Sequence, residues 1–320
     1  MDLLTRIVST KRLSHAYLFS GIEGIGKRLT AFALAKLLLC SSNGSESCGN
    51  CAACIQADRG NHPDLIIIEP KNGTITIDSI RTLKQQLSRK SFFGGYKICI
   101  IDEAEKMNVQ AENALLKTLE EPSPKTVIIL VTGQPYLILP TVRSRCQHLK
   151  FQPLPIAIAA QVIMEKRNVD RETASLMAQL TGGSLGKSLA LDIEFLKEMR
   201  ESWIERSKPV AGGKAKDIFD FAGDFCKDKE TLALTLNLLR IWYRDLLRYT
   251  IYGNSDCLLN KDKANDVALH CSLWNVERLI NILLWIEKFQ QTLDSNVNPQ
   301  LTMETLCVTL PSRSEYTPPD

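Results

Sequence analysis

The chain has 320 residues, enough for two or three domains with cores of their own. Its 39 basic and 36 acidic side chains leave a formal net charge of +3, too mild to demand a nucleic-acid or membrane partner on charge alone. The longest stretch without a charged residue, 126–142, contains Gly133, Pro135 and Pro140 and so is no membrane span; with no signal-peptide core at the N-terminus, a cytoplasmic location is expected.

The first element is an apolar strand, 16–20, that runs into Gly21-Ile22-Glu23-Gly24-Ile25-Gly26-Lys27. Gly21, Gly24, Gly26 and Lys27 form the core of a phosphate-binding loop, and 27–39 reads as the helix that leaves it. The next position breaks the pattern. Arg28 stands where a Ser or Thr hydroxyl would ligate the Mg²⁺ of a bound nucleotide, and Thr30 points to another side of the helix.

Cys40, Cys48, Cys51 and Cys54 follow, in a loop of Ser, Gly and Asn. Their type and spacing suit a closed tetrahedral Zn²⁺ shell of structural role, with His62 as the stand-in ligand should Cys40 be a core residue. The other cysteines (Cys99, Cys146, Cys226, Cys257, Cys271, Cys307) are scattered through apolar segments and read as small core residues of a reducing compartment.

A strand at 64–68, a helix at 77–90, a strand at 96–101, a helix at 109–120 and a strand at 126–131 come next. Such alternation predicts a parallel sheet covered by helices. The strand at 96–101 ends in Asp102 and Glu103, placed to hold Mg²⁺ through water and to polarise an attacking water. Thr132, at the end of the last strand, is placed to sense a γ-phosphate. Arg145 follows a strand and turn, where an isolated Arg would pair with a surface carboxylate. In a P-loop ATPase of the assembling kind, its planar, permanently charged fork can reach the γ-phosphate bound to a neighbouring subunit.

Beyond 152 the strands stop. A helical stretch, 156–207, is broken at Thr181-Gly182-Gly183-Ser184. A linker is expected at 209–213, then long amphipathic helices at 230–252 and 275–293, and a loose tail from 311.

Assembled in order, these residues resemble the clamp-loader subunits of bacterial DNA polymerase III, a branch of the AAA+ family, over essentially the whole chain. The motifs are Ser14 to Gly21 before the loop, the Cys₄ insertion, His62-Pro63-Asp64, Ile101 to Asn108, Asn113 to Pro122, and Leu139 to Cys146. The resemblance implies an α/β P-loop (AAA+) domain at 1–155 with a zinc insertion at 40–54. A small helical lid at 156–208 and an all-α collar at 209–320 complete the implied fold. Arg28, and Gly186 where related ATPases carry an Arg (Lys187 is one step along), favour the delta-prime type over the hydrolysing gamma/tau type.

It further implies a hetero-pentamer with gamma/tau and delta subunits, acting on the sliding clamp and primed DNA. In it Arg145 is an arginine finger in trans, and the chain, as part of the polymerase III holoenzyme, hydrolyses little or no ATP itself. Weak ATP or ADP binding stays open, because backbone N–H groups and Lys27 hold phosphates without a metal ligand; Mg²⁺ is disfavoured. The alternative is an active gamma/tau-type ATPase that tolerates Arg28. A nucleic-acid-binding zinc ribbon is the weakest reading, since 41–57 has Glu46 and no Lys or Arg.

Overall fold

The computed structural model describes residues 13–42, 44, 46–211, 228–292 and 298–309. Five strands, β1 (Ala16–Ser20), β2 (Leu65–Ile68), β3 (Lys97–Ile101), β4 (Thr126–Thr132) and β5 (Gln147–Lys150), lie in the order β2-β3-β4-β1-β5, every pair parallel. Every residue of β1, β3 and β4 is buried, as a parallel sheet covered on both faces requires.

Strand alternation sorts the core into two layers. Tyr17, Phe19, Ile98, Ile100, Val127 and Ile129 pack on Ala31, Leu34 and Ala35 of helix α1 (Lys27–Leu39). On the other face, Ala16, Leu18, Cys99, Ile101, Ile128 and Leu130 pack on helices α3 (Ile77–Ser88) and α4 (Val109–Glu120). A short helix, α2 (Ala52–Asp58), carries the last cysteines, and a single helical turn, α5 (Pro140–Arg143), precedes β5.

One strand escaped the sequence reading. β5 is Gln147-His148-Leu149-Lys150, largely exposed, so as an edge strand it lacks the apolar run that marks the others.

The chain divides into two compact units, 1–154 and 155–320. The described part of the second is helical: α6 (Ile156–Arg167), α7 (Arg171–Leu180), α8 (Leu185–Ala190), α9 (Ile193–Ala211), α10 (Lys229–Tyr252), α11 (Ala264–Cys271), α12 (Val276–Thr292) and α13 (Pro299–Thr309). The break after α7 is a left-handed glycine pair, with Gly183 N donating to Ala178 O at 2.8 Å. Ala159, Leu196, Trp203, Leu236, Leu246, Ile286 and Met303 belong to one apolar cluster in this unit. Asp245, fully buried, accepts from Leu259 N and from Asn260 N and Nδ2, which fixes the turn after α10.

The linker expected at 209–213 is a correction. Helix α9 runs through Pro209 to Ala211, where a proline in the last turn forfeits one donor without stopping the helix; 212–213, like the tail from 311, lie outside the described residues. Among the described residues no helix is long and apolar enough to cross a membrane.

Candidate functional site

The P-loop joins β1 to α1 at the carboxyl edge of the sheet, where open α/β sheets take their ligands. Gly21 has φ +147°, and a Cβ there would lie 2.6 Å from Phe151 O and 2.7 Å from Ile25 Cδ1. Gly24 and Gly26 also have positive φ, 78° and 90°. Their lack of a side chain is what lets the backbone turn tightly enough to present N–H groups at the helix start. Lys27 is 7 % exposed, and its ammonium donates to Gly21 O (2.6 Å) and Ile22 O (2.7 Å), curling over the loop it belongs to.

Arg28 does something the motif alone does not reveal. Its guanidinium spans two carboxylates, donating to Asp102 Oδ2 at 3.0 Å and pairing with Glu69. Strand register explains the meeting. Ile68 of β2 sits opposite Ile101 of β3, so the residues that follow, Glu69 and Asp102, emerge side by side. The second oxygen of Asp102 is also engaged, by Glu103 N at 3.1 Å.

Mg²⁺ does not fit this arrangement. Position 28 offers no oxygen, and the Thr30 hydroxyl donates back to Gly26 O at 2.9 Å. A dication here would have to displace the Arg28 guanidinium from the Asp102 and Glu69 carboxylates. The phosphate cradle itself is intact.

Glu103 and Thr132 complete the edge. Glu103 has a left-handed backbone, φ 46°. Thr132, 1 % exposed, pairs in register with Ser20, directly before the loop, and its Oγ1 accepts from Gln134 N at 3.0 Å. Gly21, Gly24, Gly26, Lys27, Arg28, Asp102, Glu103 and Thr132 thus gather along the ends of three neighbouring strands, β3, β4 and β1.

The four cysteines also converge. The sulfurs of Cys40, Cys48, Cys51 and Cys54 all lie within 4.8 Å of one another, with Cys40 to Cys48 at 3.5 Å and Cys40 to Cys51 at 4.0 Å. Metal–sulfur bonds of about 2.3 Å in a tetrahedron require sulfur separations of about 3.8 Å. The donor set therefore fits a four-coordinate, thiolate-seeking metal.

Cys40 closes α1, and Cys51 caps α2, accepting from Cys54 N. The Cys48 N–H lowers the Cys40 pKa and the Ser41 N–H lowers that of Cys51, which favours thiolates; burial raises Cys54, a penalty that a cation offsets. Lys36 of α1 pairs with Asp58 of α2 at 2.6 Å and ties the module to the P-loop helix. His62 stands outside the cluster: its Nδ1 accepts from Asp64 N (3.1 Å) and its ring packs on Phe93, so the stand-in ligand is not needed.

Arg145 follows α5 at the surface, its side chain 36 % exposed. It pairs with Glu120 at 2.6 Å and donates to Thr141 O at 2.8 Å. The segment that carries it is braced from behind: Glu112 of α4, 3 % exposed, accepts from Leu139 N at 2.7 Å. In the second unit, Gly186 and Lys187 lie in the first turn of α8, whose Ser184 cap accepts from Lys187 N.

Sequence reasoning missed Glu69, Glu112 and Glu120. Only strand register signals Glu69, while Glu120 and Glu112 have nothing local to mark them; all three act on residues distant along the chain.

Comparison with known proteins comes to the same place. The family profile described as "DNA polymerase III, delta subunit" matches residues 1–155, and "DNA polymerase III, delta subunit, C terminal" matches 211–310. The chain is 36 % identical over 316 residues to the DNA polymerase III subunit delta' of Bacillus subtilis, covering 97 % of this chain and 94 % of that one. It is 38 % identical over 202 residues to the delta' subunit of Pseudomonas aeruginosa, covering 62 % and 61 % of the two chains. The B. subtilis tau subunit is 34 % identical over 228 residues, 70 % of this chain but only 37 % of that protein.

Proposed function

The chain belongs to the DNA polymerase III delta-prime family, and from this we propose that it is a clamp-loader subunit that works by lending an arginine rather than by hydrolysing ATP. It joins gamma/tau and delta subunits in a cytoplasmic hetero-pentamer that places a sliding clamp on primed DNA. Residues 1–155 serve as the AAA+ domain, 156–208 as its helical lid and 209–320 as the collar that holds the subunits together.

The observation that carries this reading is the presentation of Arg145. Its guanidinium stands at the surface on a braced segment, paired with the half-exposed Glu120. An exposed ion pair of this kind is worth only about 0–1 kcal/mol, so a phosphate displaces it readily. Arg145 then exchanges the Glu120 carboxylate for the γ-phosphate bound to the adjacent gamma/tau subunit, where a charge aimed at the transition state gives large rate factors.

Its own site lacks parts for turnover: Arg28 stands where a metal-ligating hydroxyl is expected and pairs with Asp102. The Cys₄ cluster holds a structural Zn²⁺, since four thiolates leave no open coordination position. The gamma/tau-type ATPase is the second reading, favoured by Lys27 and Asp102-Glu103, and weakened by the Arg28 guanidinium paired with Asp102.

The test is ATPase stimulation by clamp and primed DNA in a reconstituted loader. Arg145→Ala is expected to abolish most stimulation with assembly intact by gel filtration. Unchanged turnover would reduce Arg145 to a surface arginine and bring the ATPase reading forward.

A further inference from the structure

The reading above gives Arg28 only a negative role, as a residue that spoils a metal site. Its geometry is too well made for that alone. We infer that the P-loop is a divalent-metal-independent site for a nucleoside di- or triphosphate, with the Arg28 guanidinium standing where Mg²⁺ stands in other P-loops.

Three observations on one edge of the sheet carry this. The guanidinium is fixed from behind: Asp102 takes one terminal nitrogen and Glu69 the other, and those carboxylates leave the ends of β3 and β2 side by side. An arginine has five N–H donors, so a fork held this way still has donors for phosphate oxygens. Next, a metal or its water would have to compete for Asp102, whose Oδ1 already accepts from Glu103 N and whose Oδ2 is paired with the Arg28 guanidinium. The Thr30 hydroxyl is turned back along the helix, donating to Gly26 O.

Finally, the parts of the site that grip phosphate have not decayed. Gly21, Gly24 and Gly26 keep the positive φ that opens the backbone cradle, and Gly21 has no room for a side chain. Lys27 lies over the same loop, bonded to its carbonyls at 2.6 Å and 2.7 Å. A phosphate that displaces those carbonyls gains two permanent or near-permanent cations, Lys27 and Arg28, on consecutive residues of a helix N-terminus. One charge in place of two predicts weaker binding than a Mg²⁺ site gives, with none of its dependence on metal.

This goes beyond the arginine-finger reading and does not depend on it. The experiment is calorimetric titration of ADP and ATP into the purified full-length chain, in Mg²⁺ and again in EDTA. Wild type is expected to bind with an affinity that changes by no more than about twofold between the two buffers, since its phosphate contacts are carried by side chains.

Arg28→Met removes the charge and brings no oxygen ligand; it is expected to lose about tenfold in both buffers, the size of one charge-assisted contact. Arg28→Thr restores the hydroxyl, and its binding should become dependent on Mg²⁺, falling about tenfold in EDTA. Position 28 is well exposed, so neither change threatens folding. Arg145→Ala should titrate like wild type, which separates this result from the finger test. Tenfold weaker wild-type binding in EDTA would overturn the inference, and so would the absence of binding in both buffers.

Discussion

Arg145 and its surroundings illustrate how much a single buried carboxylate can decide. Glu112 touches no candidate ligand, yet it holds the Leu139 N–H that starts the Arg145 segment. Burial raises its pKa above the ordinary carboxylate value, opposed by that N–H. The folded state therefore binds the proton more tightly than the unfolded one. The contribution favours folding in acid and is lost as pH rises through the raised pKa. Glu112→Gln, which keeps an acceptor and cannot ionise, should flatten this dependence above the ordinary value of 4.5. Glu112→Ala strands the N–H and should cost about 1–3 kcal/mol. Urea unfolding across a pH series measures both, and an unchanged slope in the Gln variant would remove Glu112 as the source.

At the scale of elements, the readable parts were those whose chemistry is local. The loop 21–27 declared itself by spacing, and the structure puts its helix at Lys27–Leu39, as read. The cysteines declared themselves by type and spacing, and their sulfurs converge. What stayed hidden depends on partners far along the chain: β5, too polar to look like a strand, and Glu69, which meets Arg28 only through the β2–β3 register.

The cysteine module yields a prediction of its own. Purified protein is expected to carry one zinc per chain by elemental analysis, and Cys51→Ser should lose the metal and lower the melting temperature, because serine can still cap α2 but removes one of the four clustered sulfurs. Full retention of zinc in that variant would take Cys51 out of the ligand set.

On the scale of the whole molecule, the two units have separate cores. Residues of the first fill two layers around the sheet, and those of the second share one helical cluster from Ala159 to Leu306. A fragment of 155–320 should accordingly unfold cooperatively with a helical circular-dichroism spectrum. A coil spectrum would mean that the second unit borrows its stability from the first. The helical half was legible as helices from its 3.6-residue periodicity, but the order of its packing was not, since apolar faces do not name their partners.

The Arg28 bridge has one more consequence, which concerns time. A subunit that hydrolyses nucleotide passes through a succession of charges, gaining metal and phosphate and then discarding them. The cation of this chain is covalently part of α1 and cannot be discarded, and it bridges the ends of two strands. Such a member keeps no rhythm of its own. In the loader proposed above, neighbours that cycle would count their steps against it.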